Sequence, residues 1–285
     1  MNWVPIALLT ALSLSTADAL TKRALKDSDE LIVAWVRWGY ALPFLAVAFA
    51  FTPIPALDST FWLSVAALLP LEVTALFLYV RAIRLSPLSL TIPFLALTPA
   101  FIVLIAFILL GEVPSLQGLF GIILITVGAY ALNAKEALSG VAGPFRAIAR
   151  EPGSILMIIV AFIYSITSTL GKLAVAHSSP VFFGAFYPFL LTAAISAFVI
   201  YRKKVTLVFS RPRLFIPIGF LMAVMVLTHF IAISLTQAAY MISIKRMSLV
   251  FSVIYGRVIF KEMGLKERLL GSVVMLAGAA LIILS

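Results

Sequence analysis

Two stretches of the chain share one pattern: Gly121-Ile-Ile-Leu-Ile-Thr-Val-Gly128-Ala129 and Gly271-Ser-Val-Val-Met-Leu-Ala-Gly278-Ala279. They are 150 residues apart, and working outward from them the same offset aligns the two halves of the chain without a gap. Further identical pairs at this offset are Ala11/Ala161, Ser15/Ser165, Leu20/Leu170, Lys22/Lys172, Ala24/Ala174, Ala82/Ala232, Ile83/Ile233, Leu85/Leu235, Ile92/Ile242, Val103/Val253 and Glu112/Glu262. The Lys, Glu and paired Gly matches in one register indicate an internal repeat.

Composition places the chain in the membrane. Hydrophobic residues make up 63% of the 285 residues and charged residues only 11%, whereas soluble domains are about a quarter charged. Runs of about 20 apolar residues are what span a bilayer as helices. There is no cysteine, which excludes disulfides and Cys-based metal sites.

The apolar runs predict ten membrane spans, and each half of the chain holds five. Their approximate bounds are 2–20, 31–51, 61–80, 87–110, 114–133, 153–176, 180–201, 213–235, 238–260 and 266–285. Because five is odd, the second half enters the membrane from the opposite side to the first. We therefore predict an all-α fold of two inverted five-helix repeats around a central cavity, the architecture of alternating-access transporters.

Three regions follow from this division. Residues 1–133 form the first repeat, 134–152 a cytoplasmic linker, and 153–285 the second repeat. The short connections force neighbouring helices to run antiparallel, and helices are required because the hydrocarbon offers no partner to backbone polar groups.

Lysine and arginine are concentrated in the odd-numbered loops, which hold 16 of the 21. They are Lys22, Arg23, Lys26, Arg81, Arg84, Lys135, Arg146, Arg150, Arg202, Lys203, Lys204, Arg211, Arg213, Lys261, Lys266 and Arg268. The positive-inside rule then predicts cytoplasmic odd loops and both termini outside, in a bacterial-type inner membrane. Since this accounts for the net charge of +10, no nucleic-acid partner is expected; the partners are the lipid bilayer and a small-molecule substrate.

Charges within spans are costly and are therefore candidates for function. Lys245 and Arg246 lie about eight residues into the ninth span, roughly 12 Å deep at 1.5 Å per residue. The pair is expected to bind a negatively charged group of the substrate, with a structural ion pair as the alternative. The flanking Tyr240 and Ser243 are included in the predicted substrate site.

Glu72, in the third span, is predicted to pair with Arg37 or Lys245, or else to exchange a proton. Arg37 in the second span either contributes to the site or extends its head to the interface. The same extension to the interface is expected for Lys172 and Arg257, which lie near span ends.

His229 lies opposite Tyr79 in the repeat register, and both are candidate site residues. His229 is expected to be a hydrogen-bonded packing residue, with a proton relay as the alternative. Pro93 and Pro99 can break the fourth span opposite the charged ninth span and so free backbone groups for a ligand. They complete the predicted substrate-binding set.

Several chemistries are excluded. No His or carboxylate cluster has metal-ligand spacing, and no Gly-Lys-Ser/Thr phosphate loop occurs. We therefore expect no catalytic metal, no cofactor, no ATP-driven step and no enzymatic activity. The glycines that close each half are predicted to pack helices closely, either within a protomer or between two, which leaves a monomer or a homodimer.

Each repeat's fourth span closes on an acidic turn, Leu-Leu-Gly-Glu112 and Ile-Phe-Lys-Glu262. With ten spans in two inverted repeats, this resembles the drug/metabolite transporter superfamily, specifically paired EamA repeats. The resemblance covers essentially the whole chain and implies a basket-like helical fold around a cavity. The stretch Ser243-Ile-Lys245-Arg246 is also similar to the Lys-Arg pair of the triose-phosphate and sugar-phosphate translocators. That branch's lysine beside Ala96 is missing here, so the resemblance implies an anionic group and not phosphate in particular.

The function predicted from these features is secondary active or facilitative transport of a small polar metabolite with an anionic group. Alternatives with the same fold are an amino-acid or drug exporter and a lipid-linked-sugar flippase. An alternative from another class is a non-transporting membrane assembly subunit, although a scaffold has no need of Lys245, Arg246 and Glu72 inside the membrane.

Overall fold

The computed structural model describes residues 2–86, 91–131, 152–260 and 265–285, and every regular element in them is helical. The helices are α1 (Trp3–Ala24), α2 (Glu30–Gly39), α3 (Leu42–Ala50), α4 (Ser59–Leu85), α5 (Thr98–Leu110), α6 (Leu116–Ala131), α7 (Pro152–Ala176), α8 (Pro180–Tyr201), α9 (Pro212–Ser234), α10 (Ala238–Lys245), α11 (Ser248–Phe260) and α12 (Leu265–Ile283). Two 3-10 segments precede α5 and α9, at Ile92–Leu97 and Val205–Phe209.

Within the described residues, six helical stretches are long and apolar enough to cross a membrane. They are Trp3–Ala24, Glu30–Ala50, Ser59–Leu85, Pro152–Ala176, Pro180–Tyr201 and Pro212–Ser234. Shorter apolar helices cover Phe94–Leu110, Leu116–Gly128 and Gly271–Ile283, and the broken pair α10 and α11 occupies the predicted ninth span. The all-helical membrane fold is confirmed. Most of the predicted linker 134–152 lies outside the described residues.

Side chains mark the helix starts at the loops. Asn2, Asp29, Asp58 and Ser179 each accept a hydrogen bond from a backbone N–H in the first turn of the helix that follows. Such caps satisfy donors that have no partner within the helix. Gly111 ends α5 in the left-handed conformation, with φ of 68°, which costs glycine little because it has no Cβ.

The prolines within spans have two different outcomes. Pro70, Pro188 and Pro217 lie inside the continuous helices α4, α8 and α9. By contrast, Pro43 and Pro99 stand in the first turn of α3 and α5, each just after a break in its span. The first helical turn tolerates proline because its N–H has no helical partner there.

The two halves pack through equivalent pairs of helices. In the repeat register α1 matches α7 and α4 matches α9, and α4 packs on α7 as α9 packs on α1. Helix α6 packs on its own equivalent, α12. Exchanging the two halves therefore converts the α4–α7 contact into the α9–α1 contact and leaves the α6–α12 contact unchanged. This is what a two-fold axis between the repeats produces.

The crossing of α6 and α12 shows that the two repeats are inverted. A Cβ built on Gly121 would lie 2.7 Å from the Gly278 carbonyl oxygen, and one on Gly128 would lie 2.7 Å from the Gly271 carbonyl oxygen. The pairs run antiparallel, because the earlier glycine of one helix meets the later glycine of the other. The glycines therefore pack the helices within one protomer, the first of the two predicted alternatives.

We expect Gly278→Val to destabilise the protein by about 1–3 kcal/mol, because its Cβ would meet the Gly121 carbonyl oxygen at 2.6 Å. The measurement is the free energy of unfolding in mixed micelles. The control is Ala277→Val, one residue away on the exposed face of the same helix. Equal stability of the two variants would contradict this view of the crossing.

Candidate functional site

A cavity of about 100 Å³ lies between the two repeats, and we call it the central cavity. Both halves contribute its walls. They are Leu14, Arg37, Trp38, Leu68, Glu72, Leu76, Tyr79, Leu95, Tyr164, Thr167, Ser168, Tyr187, Met222, Met225, Val226, His229, Phe230, Ile242, Lys245 and Arg246. Apolar and aromatic walls with a few polar groups are typical of small-molecule sites.

The fourth span of each repeat is broken at the same place. Helix α5 begins at Thr98, after a 3-10 segment, and α11 begins at Ser248, 150 residues later. The prolines predicted the first break. The second, just after Lys245 and Arg246, was not predicted, since no proline marks it. It corrects the expectation of one continuous helix over 238–260.

Arg246 connects the two breaks. It caps the C-terminal end of α10, and its Nη2 donates to the Thr98 hydroxyl of the other half across 2.9 Å. Its side chain reaches the cavity although the residue is only 3% exposed. The broken spans are thus held side by side by one buried hydrogen bond from a cation.

Lys245, Glu72 and His229 meet at the same cavity. The Lys245 ammonium lies 3.4 Å from Nδ1 of His229, a long hydrogen bond that requires the imidazole proton on Nε2. The Glu72 carboxylate faces the Thr167 hydroxyl and lies close enough to Lys245 for a Coulombic attraction. Glu72 and Lys245 form no salt bridge among the described residues, so the predicted pairing is seen here only as an electrostatic attraction across the cavity.

Arg37 is held by a partner that the sequence analysis missed. Its Nη1 lies 2.7 Å from the Asp18 carboxylate and 3.0 Å from the Thr21 hydroxyl, and its guanidinium stands over the Tyr79 ring at 5.1 Å. Asp18 and Arg37 are 2% and 3% exposed. Arg37 therefore lines the cavity, the first of its two predicted alternatives, and it neither pairs with Glu72 nor extends to the interface.

The error arose from the end of the first span. Placed at residue 20, the boundary put Asp18 at the interface, so it was not among the candidate residues. Helix α1 instead continues to Ala24, so Asp18 lies almost two turns before its end. A carboxylate four residues before the basic flank that begins at Lys22 was the signal available in the sequence.

Several hydrogen-bond donors of the central cavity have no protein partner. Among the described residues, seven buried side-chain polar atoms lack one, and five of them belong to cavity residues. They are Nε of Arg37, Nε1 of Trp38, the hydroxyls of Tyr79 and Tyr187, and Nε of Arg246. All five can donate, and three can only donate. Clustered unpaired donors around one space are what a ligand rich in acceptors requires.

The other predicted site residues lie apart from the cavity. Tyr240 accepts a hydrogen bond from the Ser115 N–H at 2.9 Å, near one end of the bundle. Ser243 is buried and donates to the Ala239 carbonyl. Pro99 is buried at the start of α5, and the side chain of Pro93 lies outside the described part of the chain.

Lys172 forms an ion pair with Glu112 of the other half. Glu112 also accepts the Ala238 N–H at 2.8 Å, at the start of α10. The head of Lys172 reaches the connections that contain Glu112 and Thr236, which is compatible with the predicted extension to the interface, and the side chain of Arg257, given the same expectation, lies outside the described residues. Through these two contacts Glu112 connects the end of α5 to α7, at Lys172, and to α10, at Ala238.

The repeat-equivalent lysine makes a matching contact. Lys22 donates to the Ser86 carbonyl, and Lys172 donates to the Thr236 carbonyl, which is 150 residues further on in both donor and acceptor. Each lysine thus binds the C-terminal end of the third span of its own half, which is α4 for Lys22 and α9 for Lys172. Glu262, the equivalent of Glu112, lies outside the described residues.

Comparison with known proteins agrees with this architecture. The model of the EamA-like transporter family matches residues 1–134 and 151–284, one match in each half. The chain belongs to the EamA-like transporter family. Like its family, it is an integral membrane protein of the transporter class, and the predicted superfamily is confirmed. No curated protein matches the chain.

A solved structure titled "Crystal structure of protein" has the same fold as this EamA-like chain. The two superpose with a TM-score of 0.74 over 99% of this chain and 98% of the other. Their sequences are only 16% identical, so the likeness extends to the fold and not to the substrate.

We expect Arg37→Ala to cost about 3–5 kcal/mol of unfolding free energy, because it leaves the Asp18 carboxylate buried without its partner. Arg84→Ala, which removes half of a largely exposed pair with Glu30, should cost less than about 1 kcal/mol. Denaturant titration in mixed micelles measures both. If the double variant Asp18→Asn with Arg37→Ala is no more stable than Arg37→Ala alone, the cost does not come from the unpaired carboxylate.

Proposed function

We propose that this transporter moves a small organic monoanion by alternating access, with the central cavity as its substrate site. The supporting observation is that five buried donor atoms without a protein partner belong to residues that line this one cavity. A carboxylate or phosphoryl group would offer acceptors to several of them at once. Charge-assisted hydrogen bonds of this kind are the stronger ones in proteins.

The proposed valence follows from the charges around the cavity. Three cations, Arg37, Lys245 and Arg246, face two carboxylates, Asp18 and Glu72. Arg37 is neutralised by Asp18 and Lys245 is attracted by Glu72, whereas the hydrogen-bond partner of the Arg246 side chain within the described residues is the neutral Thr98. One substrate anion would cancel this remaining charge, whose burial is otherwise costly.

Amino-acid export is the second candidate, favoured by Glu72. Glu72 and Lys245 are only partly buried, so both present charge to the space they line. A zwitterion could place its ammonium at Glu72 and its carboxylate at the cations. A lipid-linked sugar is less well suited to a cavity of about 100 Å³, and a non-transporting role does not fit the family.

A ligand panel tests the proposed site. Monocarboxylates, dicarboxylates, amino acids and sugar phosphates are compared by thermal shift and by uptake into proteoliposomes. Lys245→Ala and Arg246→Ala should weaken binding of the best ligand roughly ten- to a hundredfold, the worth of a hydrogen bond to a charged group. The control is Arg213→Ala, on the exposed start of α9. Wild-type affinity in both cavity variants would overturn the proposal.

Glu72→Gln tests the valence. The substitution raises the proposed net charge by one, so preference should shift from a monocarboxylate to the dicarboxylate of the same chain length. If Glu72 also carries a coupled proton, the variant should keep exchange of internal for external substrate but lose accumulation driven by a pH gradient. Thr167→Val, which removes the hydroxyl facing Glu72, is the control that keeps the carboxylate. An unchanged ligand preference in Glu72→Gln would contradict the proposal that the charges around the cavity select a monoanion.

The Glu112–Lys172 ion pair is proposed to close one end of the central cavity, and the positive-inside rule assigns that end to the outside. Because the chain has no cysteine, Ala239→Cys provides a single reporter beside this pair, at a residue that is 2% exposed. A membrane-impermeant maleimide added outside intact cells should label it, and Glu112→Gln should speed labelling about fivefold.

Glu30→Gln, which weakens the exposed Glu30–Arg84 pair, is the control and should leave the labelling rate unchanged. Labelling only from the cytoplasmic side would reverse the proposed orientation of the termini. Equal rates with Glu112→Gln and Glu30→Gln would remove the ion pair from the gating mechanism.

A further inference from the structure

A second space in the molecule is a groove of about 850 Å³ between α4 and α8, at the end that carries basic loops. We call it the lateral groove. It is separate from the central cavity and shares no lining residue with it. The residues that matter here are Phe77, Arg81, Arg84, Phe198, Arg202 and Lys204.

The acidic residues of the lateral groove already have partners. Asp29 lies 2.6 Å from the Lys204 ammonium, and Glu30 pairs with Arg84 at 3.4 Å. Burial raises the pKa of Asp29, but the hydrogen bond from Lys204 and those from the backbone outweigh it, so its pKa lies below the ordinary value. The carboxylate is therefore ionised and engaged. Arg81 and Arg202 have no ion pair within the described residues, which leaves the groove with two free guanidinium groups.

Below these two cations lies an aromatic floor. Phe77 precedes Arg81 by four residues on α4, and Phe198 precedes Arg202 by four residues at the end of α8, so each pair shares a helix face. The two phenyl rings meet edge to face with centroids 5.4 Å apart. Phe198 is 48% exposed on the outside of the bundle. The groove is thus cationic toward the membrane surface and apolar one turn deeper.

We propose that the lateral groove is a binding site for one anionic phospholipid, with its phosphate between Arg81 and Arg202 and an acyl chain over Phe77 and Phe198. Such a lipid would contact both the cationic part and the aromatic part of the lateral groove. Basic pockets between membrane helices suit anionic headgroups, and guanidinium groups match phosphate oxygens. A soluble anion has no use for the aromatic floor, and a zwitterionic lipid brings no net charge for the two arginines.

The test uses the full-length protein in detergent with phosphatidylglycerol or phosphatidylcholine, and retained lipid is counted by native mass spectrometry. The wild type should keep one phosphatidylglycerol in preference to phosphatidylcholine. The double variant Arg81→Ala/Arg202→Ala should bind it about tenfold or more weakly, because each lost cation near the headgroup lowers the affinity. Both side chains are exposed, so no buried contact is removed.

The matched control is Arg23→Ala/Arg213→Ala, which removes two exposed arginines from another pocket at the basic end of the bundle. It should retain phosphatidylglycerol as the wild type does, and Arg81→Lys/Arg202→Lys should bind at intermediate strength. If both double alanine variants lost phosphatidylglycerol equally, the lipid would be held by net charge alone, which would overturn the site. Equal retention of phosphatidylcholine, or displacement of the lipid by millimolar inorganic phosphate, would also overturn the site.

Discussion

The cost of holding cations inside a membrane is the constraint on which this structure depends. Arg37, Lys245 and Arg246 lie where hydrocarbon would surround them, and each is stabilised differently. Arg37 forms an ion pair with Asp18, Lys245 lies near Glu72 and His229, and Arg246 has one hydroxyl partner among the described residues. Removing charge from water is repaid only with good geometry and added hydrogen bonds. The least compensated cation is therefore the place at which the proposed substrate anion would bind.

The repeat provides a symmetric scaffold, and the site is made where that symmetry ends. The helix breaks at Thr98 and Ser248 are equivalent, and so are the contacts made by Lys22 and Lys172. At the cavity itself, however, Arg246 stands opposite Ala96 in the register. The packing that relates the halves is thus kept in both, while each half supplies different cations to the cavity: Arg37 from the first, and Lys245 and Arg246 from the second.

The sequence predicted the fold more fully than the site, for a physical reason. Apolar runs and the offset of 150 residues give the spans, the repeat and its inversion, because these depend only on the order of residue types along the chain. The predicted cavity residues that agree are those with charge or aromatic character deep in a span, such as Glu72 and Tyr79. Asp18 was missed because an error of one turn in a helix end moves a residue from the interior to the interface. The break after Arg246 was missed because tertiary contacts, and no proline, produce it.

Proposed alternating access requires contacts that are strong enough to close an end and weak enough to open. The Asp18–Arg37 pair is unsuited to this, since both side chains are at most 4% exposed and separating them would leave two buried charges. The Glu112–Lys172 pair is better suited, with side chains 17% and 18% exposed, because water can replace each partner when they separate. It also joins α5 of one half to α7 and α10 of the other, so its opening moves the halves relative to one another. In the proposed mechanism the buried pair therefore belongs to the part that stays rigid, and the more exposed Glu112–Lys172 pair to the part that moves.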